Sequence, residues 1–225
     1  MANMELTERI QSAKGRSNIY DFLTTVYRIE FNAERLQGIK DPAFAEVLSE
    51  FGVDVNNAFF NGTDEKVIED LAVEYARLFA GPGKHISPHE SVHHERDGGD
   101  WGKLWGRSTI DVKMFIEKAG LEFKSEYTGL PDHISVEFEF MKELTLREAQ
   151  AWEENDSEGA MKCREIEKRF VDDHISKWVP GFCDRVIQTA ELDFYRNIAK
   201  LTKEYVLEEK GLLDENLLFT GKDDI

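Results

Sequence analysis

Four of the six histidines stand in one stretch, "GPGKHISPHESVHHERDGGDW" at 81–101. His85, His89 and His93 are spaced by four, His94 follows, and Glu90, Glu95 and Asp97 lie among them. Imidazoles with carboxylates are the ligand set of zinc and non-haem iron sites. Three histidines four apart share a stripe only on one continuous helix, and Pro88 disfavours helical geometry at Ser87. "SPHE" itself reads as a helix start, with Ser87 as N-cap, Pro88 as the first helical residue and Glu90 completing a capping box. On that short helix His89 and His93 share a face and His85 lies outside it. A carboxylate-bridged di-iron bundle needs two Glu-x-x-His motifs. Glu90–His93 is one, but His133 and His174 have Leu130 and Val171 three residues earlier. HExxH is absent. What this leaves of the metal reading is a mononuclear site from His89, His93 and a distant carboxylate, which would make the chain a histidine-based metal-dependent enzyme.

Other chemistries find fewer residues. "GPGKH" lacks the Ser or Thr that follows lysine in a phosphate loop, and no strand precedes it. There is no GxGxxG and no GxSxG. Cys163 and Cys183 form no CxxC and lack a positive cluster, so they read as buried thiols in a reducing compartment. His133 and His174 read as structural, His174 suiting the negative end of a helix.

The elements that must hold these residues are helical. Ile10, Ile19, Phe22, Leu23, Val26 and Tyr27 predict a helix near 5–30, weakened around Gly15. Asp41-Pro42 opens another to about Phe51, and a short one is expected at 54–60. Thr63 or Asp64 caps the next, whose apolar face runs from Val67 to Tyr75, Leu78 and Phe79 and stops at "AGPG". Residues 80–107 form a long irregular stretch with six glycines, the kind of connection that carries function or acts as a hinge. Ser108 caps a helix closed by Gly120. Asp132, after Pro131, reads as the N-cap of a central helix lined by Ile134, Phe138, Met141, Ala149 and Trp152. Asp156 or Ser157 starts a helix to about Asp173, Pro180 predicts a break near 178–181, and a last helix covers 190–209. Trp152 and Trp178 read as core, Trp101 and Trp105 as groove residues beside the loop. No strand alternation of useful length appears. The expected fold is all-α, a single domain over 1–225 built from about nine to eleven helices.

The 225 residues are 41% hydrophobic and 11% aromatic, a globular composition, and the net charge is −17. That charge speaks against nucleic acid and against stable insertion in an anionic membrane, and it favours a basic partner. "MANMELTERIQSAKG" lacks an apolar core of signal-peptide length, so the expected location is the cytoplasm.

Five stretches in order then match one pattern: "EYARLFAGPG", "SPHESVH", "GRSTIDVKMFIEKAGLEF", "LPDHISVEFEFM", and "HISKWVPGF" with "FYRNIAKLT". Over residues 17–207 the chain resembles the TorD/DmsD/NarJ family of redox-enzyme maturation chaperones. The resemblance implies an all-helical fold, no catalytic activity and no cofactor of its own. The implied partner is the apo form of a molybdenum- or tungsten-containing oxidoreductase subunit, bound through its basic twin-arginine leader. It further implies peptide recognition by Pro88, His89, Glu90, Ser91 and His93 and by Pro131, Asp132, His133 and Glu137. Tyr75 and Phe79 lead into the first segment, and Trp101 lies beside it. His89 and His93 stand where the family usually has aromatic side chains. Asp132, Glu137 or Glu90 would take the guanidinium groups. The protein is expected to be a monomer or a homodimer, with the glycines of 80–107 permitting exchange of elements.

Overall fold

The computed structural model describes residues 2–50, 52–54, 59–81, 84–94, 103–123 and 128–220. It is all-α. Nine α-helices lie among the described residues: α1 (Ala2–Arg28), α2 (Ala33–Lys40), α3 (Pro42–Glu50), α4 (Asp64–Tyr75), α5 (Arg107–Lys118), α6 (Ile134–Glu153), α7 (Ser157–Phe170), α8 (Ser176–Thr189) and α9 (Asp193–Thr220). None of the helices among these residues is long and apolar enough to cross a membrane. Trp101, most of the helix expected at 54–60 and much of the 80–107 stretch fall outside the described residues.

The chain forms two compact units. One comprises 1–24, 89–178 and 206–225, the other 25–88 and 179–205. The core of the first follows the 3.6-residue period of α6: Ile134, Phe138, Met141, Ala149 and Trp152 are all buried, with Val136, Phe140 and Leu144 widening the apolar face. Phe140 packs on Phe170 of α7, ring centroids 4.6 Å apart, and Phe115 of α5 meets the same ring at 5.1 Å. Tyr20 of α1 lies 5.9 Å from Phe138.

The second unit is an aromatic cluster. Tyr27 meets Phe79 at 5.9 Å and Phe182 at 5.7 Å, and Phe31 meets Phe194 at 5.4 Å. The Tyr75 hydroxyl donates to the Tyr27 carbonyl (3.0 Å) and the Tyr195 hydroxyl to that of Leu71 (3.1 Å), so the buried rings keep their polar ends satisfied. Thr63 caps α4, as expected, by accepting from the Lys66 N–H. Gly81 ends the wide turn that follows it, where a Cβ would come within 2.8 Å of the Ala76 carbonyl oxygen.

Several local expectations are corrected. α2, capped by the Asn32 side chain, is a helix its sequence did not announce. α5 begins after Gly106 rather than at a Ser108 cap, and no side chain caps it. No break occurs at Pro180, because α8 runs through it. The irregularity falls earlier, in a π-turn at Val171–Ile175 that closes with the Ser176 N–H on the Val171 carbonyl. Pro180 is the fifth residue of α8 and lies one turn after that wide turn.

Candidate functional site

The segments 89–94 and 130–137 meet in the first unit. His89 and His133 form an isolated antiparallel bridge, and the Glu90 N–H donates to the Asp132 carbonyl at 2.9 Å. One turn of 3-10 helix follows at Glu90–Val92. The predicted capping box is therefore absent: the helical turn starts after His89, and Glu90 turns inward. Asp132 is not the N-cap of α6 either. His133 takes that position, its Nδ1 accepting from the Ser135 N–H at 3.2 Å, which places the imidazole proton on Nε2. Asp132 is released for another task. Its Oδ2 accepts the Ser91 N–H at 2.9 Å and clasps the two segments together.

His89 and His93 do not share a helix face. The His89 ring stands edge-on to His133 at 4.9 Å, and His93 lies 4.9 Å from Trp178. Both imidazoles thus pack as aromatic rings. Among the described residues no three of His, Cys, Asp and Glu are arranged to hold a metal ion.

Glu90 is the centre of the site. His174 Nδ1–H donates to its Oε2 (2.9 Å) and His94 Nε2–H to its Oε1 (3.0 Å); a carboxylate only accepts, so both nitrogens carry protons. His174 is therefore not a helix-end histidine but a buried partner of Glu90. Burial opposes the charge on Glu90, yet the two histidines outweigh it and hold the carboxyl below its ordinary value. Glu137, fully buried one turn into α6, accepts the Trp178 indole N–H at 3.0 Å. Burial first, and then the charge of Glu90, push its carboxyl well above the ordinary value. It is the neutral member of the pair.

Three buried side-chain oxygens here have no hydrogen-bond partner among the described residues: the Ser91 hydroxyl, Asp132 Oδ1 and Glu137 Oε1, the last belonging to the neutral carboxyl. An orphaned buried acceptor costs about 1–3 kcal/mol, and these three fall in the two segments that the sequence pattern singled out. Beside them lies a pocket of about 660 Å³ whose walls include Glu90, His94, Trp105, Asp111, Asp173 and His174. Trp105 holds a left-handed backbone conformation (φ 62°) and is 73% exposed at this pocket.

The remaining predicted positions separate. Pro131 and His133 are half-buried beside Asp132, and Pro88 is buried. Tyr75 and Phe79 are 7% and 5% exposed in the aromatic core of the second unit. Sequence reasoning missed His94, Asp111, Asp173 and the bridging role of His174. Spacing gave no signal for His174, which is 84 residues from Glu90, whereas His94 stands only four residues from it.

Glu137→Gln tests the proton assignment. A carboxyl raised in the folded state contributes stability below its unfolded value and loses it as pH rises toward the folded value. Urea unfolding between about pH 5 and pH 9 should therefore show a flatter profile for the variant than for the parent, with stability near pH 5 within about 1 kcal/mol of the parent. Identical slopes would mean that Glu137 is ionised.

Fold and site together define an all-helical protein with three unpartnered buried oxygens among the described residues of its candidate site. The family model described as "nitrate reductase delta subunit" matches residues 39–184. The chain belongs to this family, the TorD/NarJ group that its motifs resemble. It is 24% identical to the chaperone protein TorD of Shewanella oneidensis, over 90% of this chain and 92% of that one. The TorD of Vibrio vulnificus strain YJ016 is 24% identical over 88% and 94%. A crystal structure described as a putative redox enzyme maturation protein from Archaeoglobus fulgidus shares the fold. Its TM-score is 0.51 at 20% identity, covering 85% of this chain and 93% of that one.

Proposed function

We propose that the protein is a cytoplasmic maturation chaperone that performs no chemistry of its own. It binds the twin-arginine leader of a molybdenum- or tungsten-cofactor oxidoreductase subunit and holds the apo-subunit before export or assembly. The observation that carries the reading is the trio of unpartnered buried oxygens on Ser91, Asp132 and Glu137, each with lone pairs open to a donor. A guanidinium has five N–H donors in a fixed fork and no acceptor, so it complements such a site. Its positive charge would let Glu137 ionise, and binding would release a proton. The net charge of −17 favours the encounter with a basic segment. The relatives named as TorD chaperones support the same assignment.

The test is calorimetric titration with a synthetic twin-arginine leader peptide. Binding should saturate, weaken with salt, and depend on buffer ionisation enthalpy in the sense of proton release. The Lys–Lys counterpart should bind more weakly, because an ammonium is a point charge that cannot span a forked acceptor set. Absence of binding to leader peptides and to apo-subunit alike would overturn the reading.

A further inference from the structure

The pocket wall and an exposed apolar row belong to the same helix face. On α5, Arg107 and Asp111 line the pocket, while Ile110 and Met114 are 59% and 45% exposed. Positions 107, 110, 111 and 114 follow the i, i+3, i+4, i+7 pattern of one helix face. The opposite face, with Thr109, Val112 and Ile116, is the buried one. An apolar pair one turn apart, facing water beside an acidic pocket, fits a docking surface better than a solvated helix side. Trp105 extends the row toward the pocket, its ring exposed by a backbone conformation that a tryptophan rarely adopts.

The charges at the pocket narrow the occupant. Glu90, Asp111 and Asp173 face it, together with His94, His174, Arg107 and Lys177. The two cations sit loosely on their acids, Arg107 at 3.4 Å from Asp111 and Lys177 at 3.7 Å from Asp173, and all four groups are exposed. Such pairs are worth little and exchange readily for a better-placed guanidinium. A ligand that satisfies both halves is basic at one end and apolar along the next turns.

We infer that the Ile110–Met114 face of α5, joined to the acidic pocket through Trp105, seats the apolar run that follows the arginines of the client leader. The inference rests on the chaperone reading above and adds to it a surface. The leader's apolar run lies along α5 in helix-in-groove fashion, with the aromatic ring of Trp105 covering the junction where charge gives way to apolar chain.

Fluorescence anisotropy of a labelled twin-arginine leader peptide tests this, with Ile110→Glu, Met114→Glu and, as control, Leu207→Glu, an exposed leucine on α9. All three positions face solvent, so circular dichroism should be unchanged. Each α5 variant is expected to weaken binding by about tenfold, while the control binds as the parent does. Parent-like binding by both α5 variants overturns the inference and leaves the chaperone reading standing. An equal loss in the Leu207 control overturns it as well, because the effect would then be general charge repulsion. A parent protein that binds no leader overturns both.

Discussion

Replacing Arg16 by methionine should cost the fold roughly 3–5 kcal/mol, a large part of the 5–15 kcal/mol by which a typical domain is stable. Arg16 is 7% exposed in the first unit and is the shared partner of three glutamates from three other helices. Its Nη1 donates to Glu148 of α6 at 2.6 Å, its Nε to Glu209 of α9 at 2.8 Å, and its Nη2 to Glu167 of α7. Arg164 and the Trp152 indole add donors to Glu148, each at 3.0 Å. Removing the guanidinium takes the shared cation from three buried glutamates, of which Glu148 alone keeps the bond from Arg164. Lysine at position 16 should rescue only in part, since one ammonium cannot serve three acceptors in a plane.

The same cluster makes the loss depend on pH. Burial raises the Glu167 carboxyl to about 7, although Arg16 pulls it down. Without Arg16 the Glu167 carboxyl rises further. A raised folded-state value means stability is retained at acid pH and lost as pH rises through that value. The gap between parent and Arg16→Met in urea unfolding should therefore be wider near pH 8 than near pH 5. A gap independent of pH would show that the loss comes from packing, not from stranded charge.

This cluster also shows what a sequence hides. The apolar face of α6 was legible because Ile134, Phe138, Met141, Ala149 and Trp152 repeat with the helix period, and each is buried. Periodicity is local. Arg16, by contrast, meets Glu148, Glu167 and Glu209 across separations of 132, 151 and 193 residues. Arginine and glutamate read as surface residues until the fold brings them together. α2 escaped notice because eight residues with only Leu36 and Ile39 buried show too little of a period. At the site, the pattern of motifs pointed to two segments that meet in the first unit but not to the division of labour within them. Asp132 after a proline has the features of an N-cap. That His133 caps instead depends on the bridge to His89, a partner 44 residues away that no local rule contains.

Freed from capping, Asp132 is where structure and recognition can be separated by two substitutions. The residue is fully buried; its backbone carbonyl accepts the Glu90 N–H, its Oδ2 accepts the Ser91 N–H, and its Oδ1 has no donor among the described residues. Asp132→Ala removes the acceptor for Ser91 and should cost about 1–3 kcal/mol of stability, more than the loss of a surface cap would. Asp132→Asn keeps an oxygen for the Ser91 N–H but places an NH2 group where Oδ1 stood. Its stability should stay nearer to the parent than that of the alanine variant, while leader binding falls by about 2–5 kcal/mol, a loss of thirtyfold or more. The amide presents donors to a guanidinium that itself offers only donors. If Asp132→Asn binds the leader like the parent, Asp132 is a strut between the two segments and the arginine is seated by Glu90 and the acids of the pocket. If it folds normally and fails to bind, the orphaned oxygen of Asp132 is part of the seat itself.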